Sequence, residues 1–176
     1  MNHPLPRPVH HYAYVVDDIE EAIGHFVTTL GAGPFFMLEN VPLENVRYHG
    51  EPAVFEHTAA FGQCGTMAIE LQEIHRCEPA EMSDRFVTPA PGLHHIAWVV
   101  PDLDQASAEL AEKHNAPLFL QANVGEITHY HHDATQTLGH FVELHKDVPA
   151  LHGFFGMLKE ASVDWDGRDP IRIPTL

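Results

Sequence analysis

Basic residues are scarce. Nine Lys plus Arg stand against 25 Asp plus Glu in 176 residues, a formal charge of −16 with histidine neutral. Nucleic-acid binding rests on cations set against phosphates, so that partner is excluded. An anionic membrane surface is disfavoured for the same reason. A fully anionic substrate would need a local positive centre, such as a bound metal ion. Cysteine is also scarce: Cys64 and Cys77 are the only two, with no CxxC, which argues against a disulfide framework or a cysteine zinc site. No apolar run approaches the roughly 18 residues of a membrane-spanning helix. The opening Met1-Asn2-His3-Pro4-Leu5-Pro6-Arg7-Pro8 lacks a basic region followed by an apolar stretch, so a cytoplasmic protein without a signal peptide is expected. A Gly-rich phosphate loop and a GxSxG elbow are missing too.

What is present is a 44% apolar composition, typical of a globular chain, and 16 histidines. The length suits one domain or two small fused modules. The chain also repeats itself. His10-His11-Tyr12-Ala13-Tyr14-Val15-Val16-Asp17-Asp18-Ile19 reads against His94-His95-Ile96-Ala97-Trp98-Val99-Val100-Pro101-Asp102-Leu103 at an offset of 84. Each copy is a β-branched and aromatic run ending in an acidic cap, which predicts a strand entering a helix. Asp18 to Glu21 and Asp102 to Gln105 have capping-box spacing. Ile19, Ala22, Ile23, Phe26 and Leu30 form one helical stripe that Gly31 stops. Leu103, Ala106, Leu110 and Ala111 form a weaker one, stopped near Asn115-Ala116-Pro117.

Strand-like runs follow each helix and end in Met67-Ala68-Ile69-Glu70-Leu71-Gln72 and His140-Phe141-Val142-Glu143-Leu144-His145. The two Glu are offset by 73, so the first half carries about eleven extra residues, placed in the Val41–Ala60 region as a longer loop or a strand pair. The predicted fold is α+β: paired βαβββ modules forming a curved mixed sheet around a metal-binding cleft, plus a C-terminal helix. Residues 1–75 form the first module, 76–91 the linker, 92–146 the second module and 147–176 the C-terminal helix and tail, in one compact domain. Leu151, Phe154, Phe155 and Leu158 share a face of that last helix, and Trp165–Pro170 reads as irregular.

Strand side chains alternate faces. Tyr12, Tyr14 and Val16 fall on one face of the first strand and Ile96, Trp98 and Val100 on the matching face of the second, so those faces should pack on the helices. The opposite faces carry His11 with Ala13 and His95 with Ala97, and alternation lets only one histidine of each pair enter the cleft. Glu70 and Glu143 occupy matching places in otherwise apolar strands. A half-buried carboxylate is costly unless paired or metal-bound, and two imidazoles with a divalent cation would supply the partner. A ligand set of two His and two Glu suits Zn, Ni, Co, Fe or Mn, and an open coordination position marks a catalytic site.

These motifs resemble the vicinal oxygen chelate superfamily, in its glyoxalase and methylmalonyl-CoA epimerase branch. The resemblance reaches to about His145 and is carried by His11-Tyr12-Ala13-Tyr14-Val15-Val16, Ile69-Glu70-Leu71, Gly92-Leu93-His94-His95-Ile96-Ala97 and Val142-Glu143-Leu144. It implies His11, Glu70, His95 and Glu143 as metal ligands, with Glu143 or Glu70 doubling as base, and a homodimer. The reading is a metal-dependent lyase, isomerase or epimerase that moves a proton beside a polarised carbonyl of a small molecule or acyl thioester. His129, His131, Phe141 and His145 are candidates for substrate contact, and Tyr48, Glu56 and His57 for an auxiliary acid or base. Two alternatives stand beside it. An extradiol-type Fe(II) dioxygenase would need only two His and one carboxylate. A ligand-binding or resistance protein would use the cleft without catalysis.

Overall fold

A computed structural model describes residues 8–87 and 91–174. The first half runs β1 (His11–Val15), α1 (Ile19–Leu30), β2 (Phe35–Leu38), β3 (Glu44–Tyr48), β4 (Glu51–Pro52), β5 (Val54–Cys64) and β6 (Met67–Glu78). Next come α2 (Ala80–Phe86), β7 (Gly92–Val100), α3 (Leu103–His114), β8 (Leu118–Val124), β9 (Ile127–His132) and β10 (Phe141–Lys146). The chain closes with α4 (Pro149–Ser162) and β11 (Ile171–Arg172). All strands join one sheet in the order β11-β2-β5-β6-β1-β7-β10-β9-β8-β3-β4. The two βαβββ units meet where β1 runs antiparallel to β7, and each first strand is parallel to its own module's last.

The predicted caps form. Asp18 accepts from the Glu21 amide and Asp102 from the Gln105 amide, each at 2.9 Å. Glu73 of β6 also accepts from the Ile19 amide at 2.9 Å, tying the start of α1 to the sheet. Gly31 and Asn115 close α1 and α3 in the left-handed conformation. Tyr14, Ile69 and Leu71 pack beneath α1, and Ile96, Trp98 and Leu144 beneath α3, so both helices cover the outer face of the sheet. Two stripe positions differ from expectation. Leu30 is 53% exposed, because the helix ends there beyond the sheet, and Ala111 faces solvent while Ser107 takes the buried place.

The extra residues of the first half form the β3–β4 hairpin, and β3 pairs antiparallel with β8 of the second half. The insertion therefore covers the edge that β8 would otherwise expose. Segment 76–91, read as a linker, holds the end of β6 and all of α2. Met82 and Phe86 of α2 are fully buried with Phe55, Phe119 and Phe141, filling one end of the concave face. Arg85 donates to Asp133 at 2.7 Å and fixes α2 to the second module. The tail is irregular through Pro170, then adds β11 to the edge of β2. Trp165 of that tail lies where a Cβ on Gly33 would meet its ring at 2.7 Å, and Gly33 has φ +133, so only glycine fits there.

Candidate metal centre

At the seam of the modules, strand alternation brings His11, Glu70, His95 and Glu143 to one point on the concave face. All four are buried. His11 Nε2 lies 3.2 Å from Glu70 Oε2 and 3.4 Å from Glu143 Oε2, and His95 Nε2 lies 3.4 and 3.2 Å from the same two oxygens. Ligands about 2.1 Å from one cation are separated by about 3.0 Å at right angles and about 3.4 Å in a tetrahedron. The four edges fall in this range. Neither Nε2 has a hydrogen-bond partner among the described residues, although both are buried. Unpaired buried polar atoms need an explanation, and lone pairs turned toward a cation supply one. Two carboxylates balance a divalent charge, and the mixed nitrogen and oxygen set fits a divalent transition metal.

The neighbouring residues set the orientation of the four. Burial disfavours charge on His95, yet Glu143 and Glu70 override it and hold its pKa up at about 9. His11 is raised by the same carboxylates against its burial. Burial also opposes charge on Glu70 and Glu143, but the imidazoles around them hold both well below the usual carboxylate range. Gln72 donates to Glu70 Oε1 at 2.8 Å, and His145 Nε2 lies 2.7 Å from Glu143 Oε2.

The first histidine of each repeated pair, His10 or His94, does not point away, as strict alternation would require. The register of β1 on β7 shifts so that Ala13 faces His95 and Tyr14 faces Leu93, leaving His94 as a bulge residue. The bulge turns His94 to the concave side, where its Nδ1 lies 2.8 Å from His95 Nδ1 and its Nε2 2.9 Å from the Phe86 carbonyl. A carbonyl only accepts, so His94 Nε2–H donates to Phe86. Burial lowers the His94 pKa to about 3, so the ring is neutral and its Nδ1 must accept from His95 Nδ1–H. That chain of bonds aims His95 Nε2 at the carboxylates, as an N–H in the protein without a cation and as a lone pair if the proton gives way to an ion. His10 Nδ1 makes the corresponding contact with His11 Nδ1 at 3.1 Å, from a half-buried position beside Phe155.

A cavity of about 280 Å³ opens above this centre. His129, His131 and His145 line it, as does His57. Burial drops His57 and His129 to about 4 and His131 well below the ordinary histidine value, so all three are neutral near pH 7. Phe141 does not line it. It shares the face of Glu143 but lies one turn of the pleat further along, covered by Phe86 of α2 and stacked on His94. Of the auxiliary candidates, His57 alone reaches the cavity. Glu56 is exposed beside Arg76, and Tyr48 packs on Phe119. Phe154 and Phe155 of α4 build the cavity roof, where helical spacing in the sequence marks only a helix face. The repeated His-His pair marks His94 in the sequence, but its turn into the cleft and its bond to the Phe86 carbonyl do not show in hydrophobic periodicity.

Residues 10–132 match the profile of the glyoxalase/bleomycin resistance protein/dioxygenase superfamily, a span that includes His11, Glu70 and His95 and stops before Glu143. No protein of curated function matches it by sequence. Among solved structures it is similar to a hypothetical protein from Bacillus halodurans C-125, with 17% identity over 82% of this chain and 96% of that one, and a TM-score of 0.55. A selenomethionine methylmalonyl-CoA epimerase gives 20% identity over 84% and 99%, with a TM-score of 0.54. At these identities the likeness is one of fold. No helix among the described residues is long and apolar enough to cross a membrane. With the family profile spanning most of the chain, this protein belongs to the glyoxalase/bleomycin resistance protein/dioxygenase superfamily.

Proposed function

We propose that this protein is a divalent-metal-dependent enzyme that moves a proton at a carbon beside a carbonyl of a small molecule, as an epimerase, isomerase or lyase does. The observation that carries the reading is the pair of unpartnered buried nitrogens, His11 Nε2 and His95 Nε2, facing Glu70 and Glu143 at the floor of a cavity. His11, Glu70, His95 and Glu143 would hold the ion. When bound, a divalent cation supplies Lewis-acid polarisation of a carbonyl oxygen, which eases loss of the neighbouring proton. All four ligands come from one chain, so the reading needs no second copy to complete the site, and the homodimer stays an expectation from resemblance.

The two carboxylates differ in their freedom to take a proton. Glu70 Oε1 accepts from Gln72, which fixes it as a ligand oxygen's partner. Glu143 Oε1 lies 3.6 Å from His131 Nε2, beyond hydrogen-bond distance, and both nitrogens of His131 lack partners among the described residues. Glu143 Oε1 is therefore the proton acceptor, with neutral His131 next to it as the onward carrier. His57 stands on the wall contributed by the first module, which gives titratable groups on both walls and suits transfer to either face of a planar intermediate.

Deuterium exchange in D2O, followed by proton NMR over a panel of branched acyl thioesters and 1,2-dicarbonyl compounds, tests this. The metal-loaded protein should exchange the proton beside the carbonyl, and Glu143→Gln should not. Oxygen uptake with a catechol and Fe(II), without exchange, would move the protein to the extradiol dioxygenases. A purified sample without stoichiometric metal, with ligand binding indifferent to Glu143→Ala, would make it a binding protein.

A further inference from the structure

We infer that the part of the substrate held in this site is compact and largely apolar, with its oxygen-bearing end toward the His and Glu floor and its body beneath α4, and that no phosphate enters the cavity. The inference rests on the proposed metal centre for the position of the reacting end.

Size is the first argument. The cavity holds about 280 Å³. An apolar cavity of about 150 Å³ accepts a benzene ring, so the space suits a ligand on the order of a dozen heavy atoms. The wall chemistry is the second. Away from the floor the lining includes Leu38 at the end of β2, Val41 and Leu43 from the loop after it, Val124 and Ile127 from the β8–β9 hairpin, and Phe154 from α4. These come from three separate parts of the chain and converge on one apolar shell. The roof is tied down by rings. Phe155 stacks on His11 with centroids 5.3 Å apart and planes 18° apart, and Phe154 meets Phe61 edge-on at 5.2 Å. The lid therefore touches a proposed ligand directly, and a body lying under it would be held against the centre.

Charge is the third argument. No Lys or Arg lines the cavity among the described residues. Several of the described cations are engaged elsewhere: Arg76 with Glu78, Arg85 with Asp133, Arg47 with the Gly50 carbonyl. A phosphate entering this space would lose its water with no cation to replace it, in a chain of net charge −16. The polar end of the substrate is served at the floor, where His57, His129, His131, His145 and Gln72 stand; the rest meets hydrocarbon.

Alkyl and aryl hydroxamates, which present two adjacent oxygens to a metal, are suitable probes. Calorimetry on the zinc-loaded full chain should find benzohydroxamate binding at least about tenfold more tightly than acetohydroxamate, the gain expected from burying a ring. Phe154→Ala should cut that gain severalfold, and Phe154→Leu should keep most of it, which guards against misreading a folding defect. Coenzyme A at millimolar concentration should not compete. Equal affinity of the two hydroxamates, or competition by coenzyme A, overturns the inference and leaves the metal centre standing. A chain that retains no zinc when measured on the same sample overturns the metal centre itself, and the inference with it.

Discussion

The two βαβββ halves carry the same scaffold and have come to do different work. Glu70 and Glu143 sit at equivalent strand positions, and each faces the preceding strand of its own module. In the first half the residue opposite the Glu is Phe61; in the second it is His131. One pleat along, the first half pairs Gln72 with Ala59, while the second pairs His145 with His129. The candidate ligand set is symmetric: each half delivers one imidazole and one carboxylate to a shared point. The walls above it are not: the first half supplies mainly aromatic and aliphatic surface, the second a run of histidines. The supports differ likewise. His94 is buried and anchored to the Phe86 carbonyl, whereas His10 is half-buried and rests on Phe155 of α4. Duplication thus explains the four candidate ligands, and divergence between the copies explains the different groups that stand above them.

The contrast can be broken most sharply at the carboxylates. With metal saturating, Glu143→Gln should lower the rate of carbon-proton exchange by about 10²–10⁴-fold, the range for loss of a general base. Glu70→Gln should act mainly by weakening metal affinity and recover most of its rate at high metal concentration. Equal, unrecoverable losses would mean that the two halves share the proton transfer.

A smaller asymmetry is expected in the outer support. His94→Ala should weaken metal binding by about 10- to 100-fold in a chelator-competition titration, and His10→Ala by only a few-fold. The reason is the anchor: removing His94 leaves the His95 Nδ1–H and the Phe86 carbonyl unsatisfied, while the His10 ring has no such backbone partner among the described residues.

The pH dependence sharpens the same site. His95 is raised from 6.5 to about 9 by Glu143 and Glu70 in the protein without a cation. A raised folded-state pKa gives stability that is complete below about 6.5 and lost as pH climbs through about 9. The melting temperature of the metal-stripped protein should therefore fall across that window. The stabilisation brought by metal should grow over the same interval, because the ion no longer has to displace a proton. Differential scanning calorimetry on both forms checks the two slopes. The smallest effect is expected at the helix stripes: Leu30→Ala should change stability by less than about 0.5 kcal/mol, against about 2–5 kcal/mol for buried Leu110→Ala.

Much of this could be read before any coordinates. The 84-residue echo gives the two modules, and strand alternation puts His11, Glu70, His95 and Glu143 on the faces that meet. Alternation also puts His145 on the face of Glu143, but it leaves open which pair turns inward, His129 with His131 or Tyr130 with His132; His129 and His131 are the pair that lines the cavity. It failed at Phe141, since sharing a face does not reveal that α2 folds over one end of it. It failed at His94 because a bulge breaks the period on which the argument depends. The partner of the inserted hairpin was equally hidden: β3 pairs with β8, a contact between segments about 75 residues apart that no local pattern encodes. The function of α4 as a roof depends on where the chain returns after β10, which amphipathic spacing alone does not say.

A crystal structure of the zinc-loaded protein, with the ion located by its anomalous scattering, tests the central claim most directly. The account predicts one ion per chain at the module seam, with His11 Nε2, His95 Nε2 and one oxygen each of Glu70 and Glu143 at about 2.0–2.2 Å. An ion held instead by the nearby buried group of His129, Glu143 and His145, or by no residue of the seam, would contradict it.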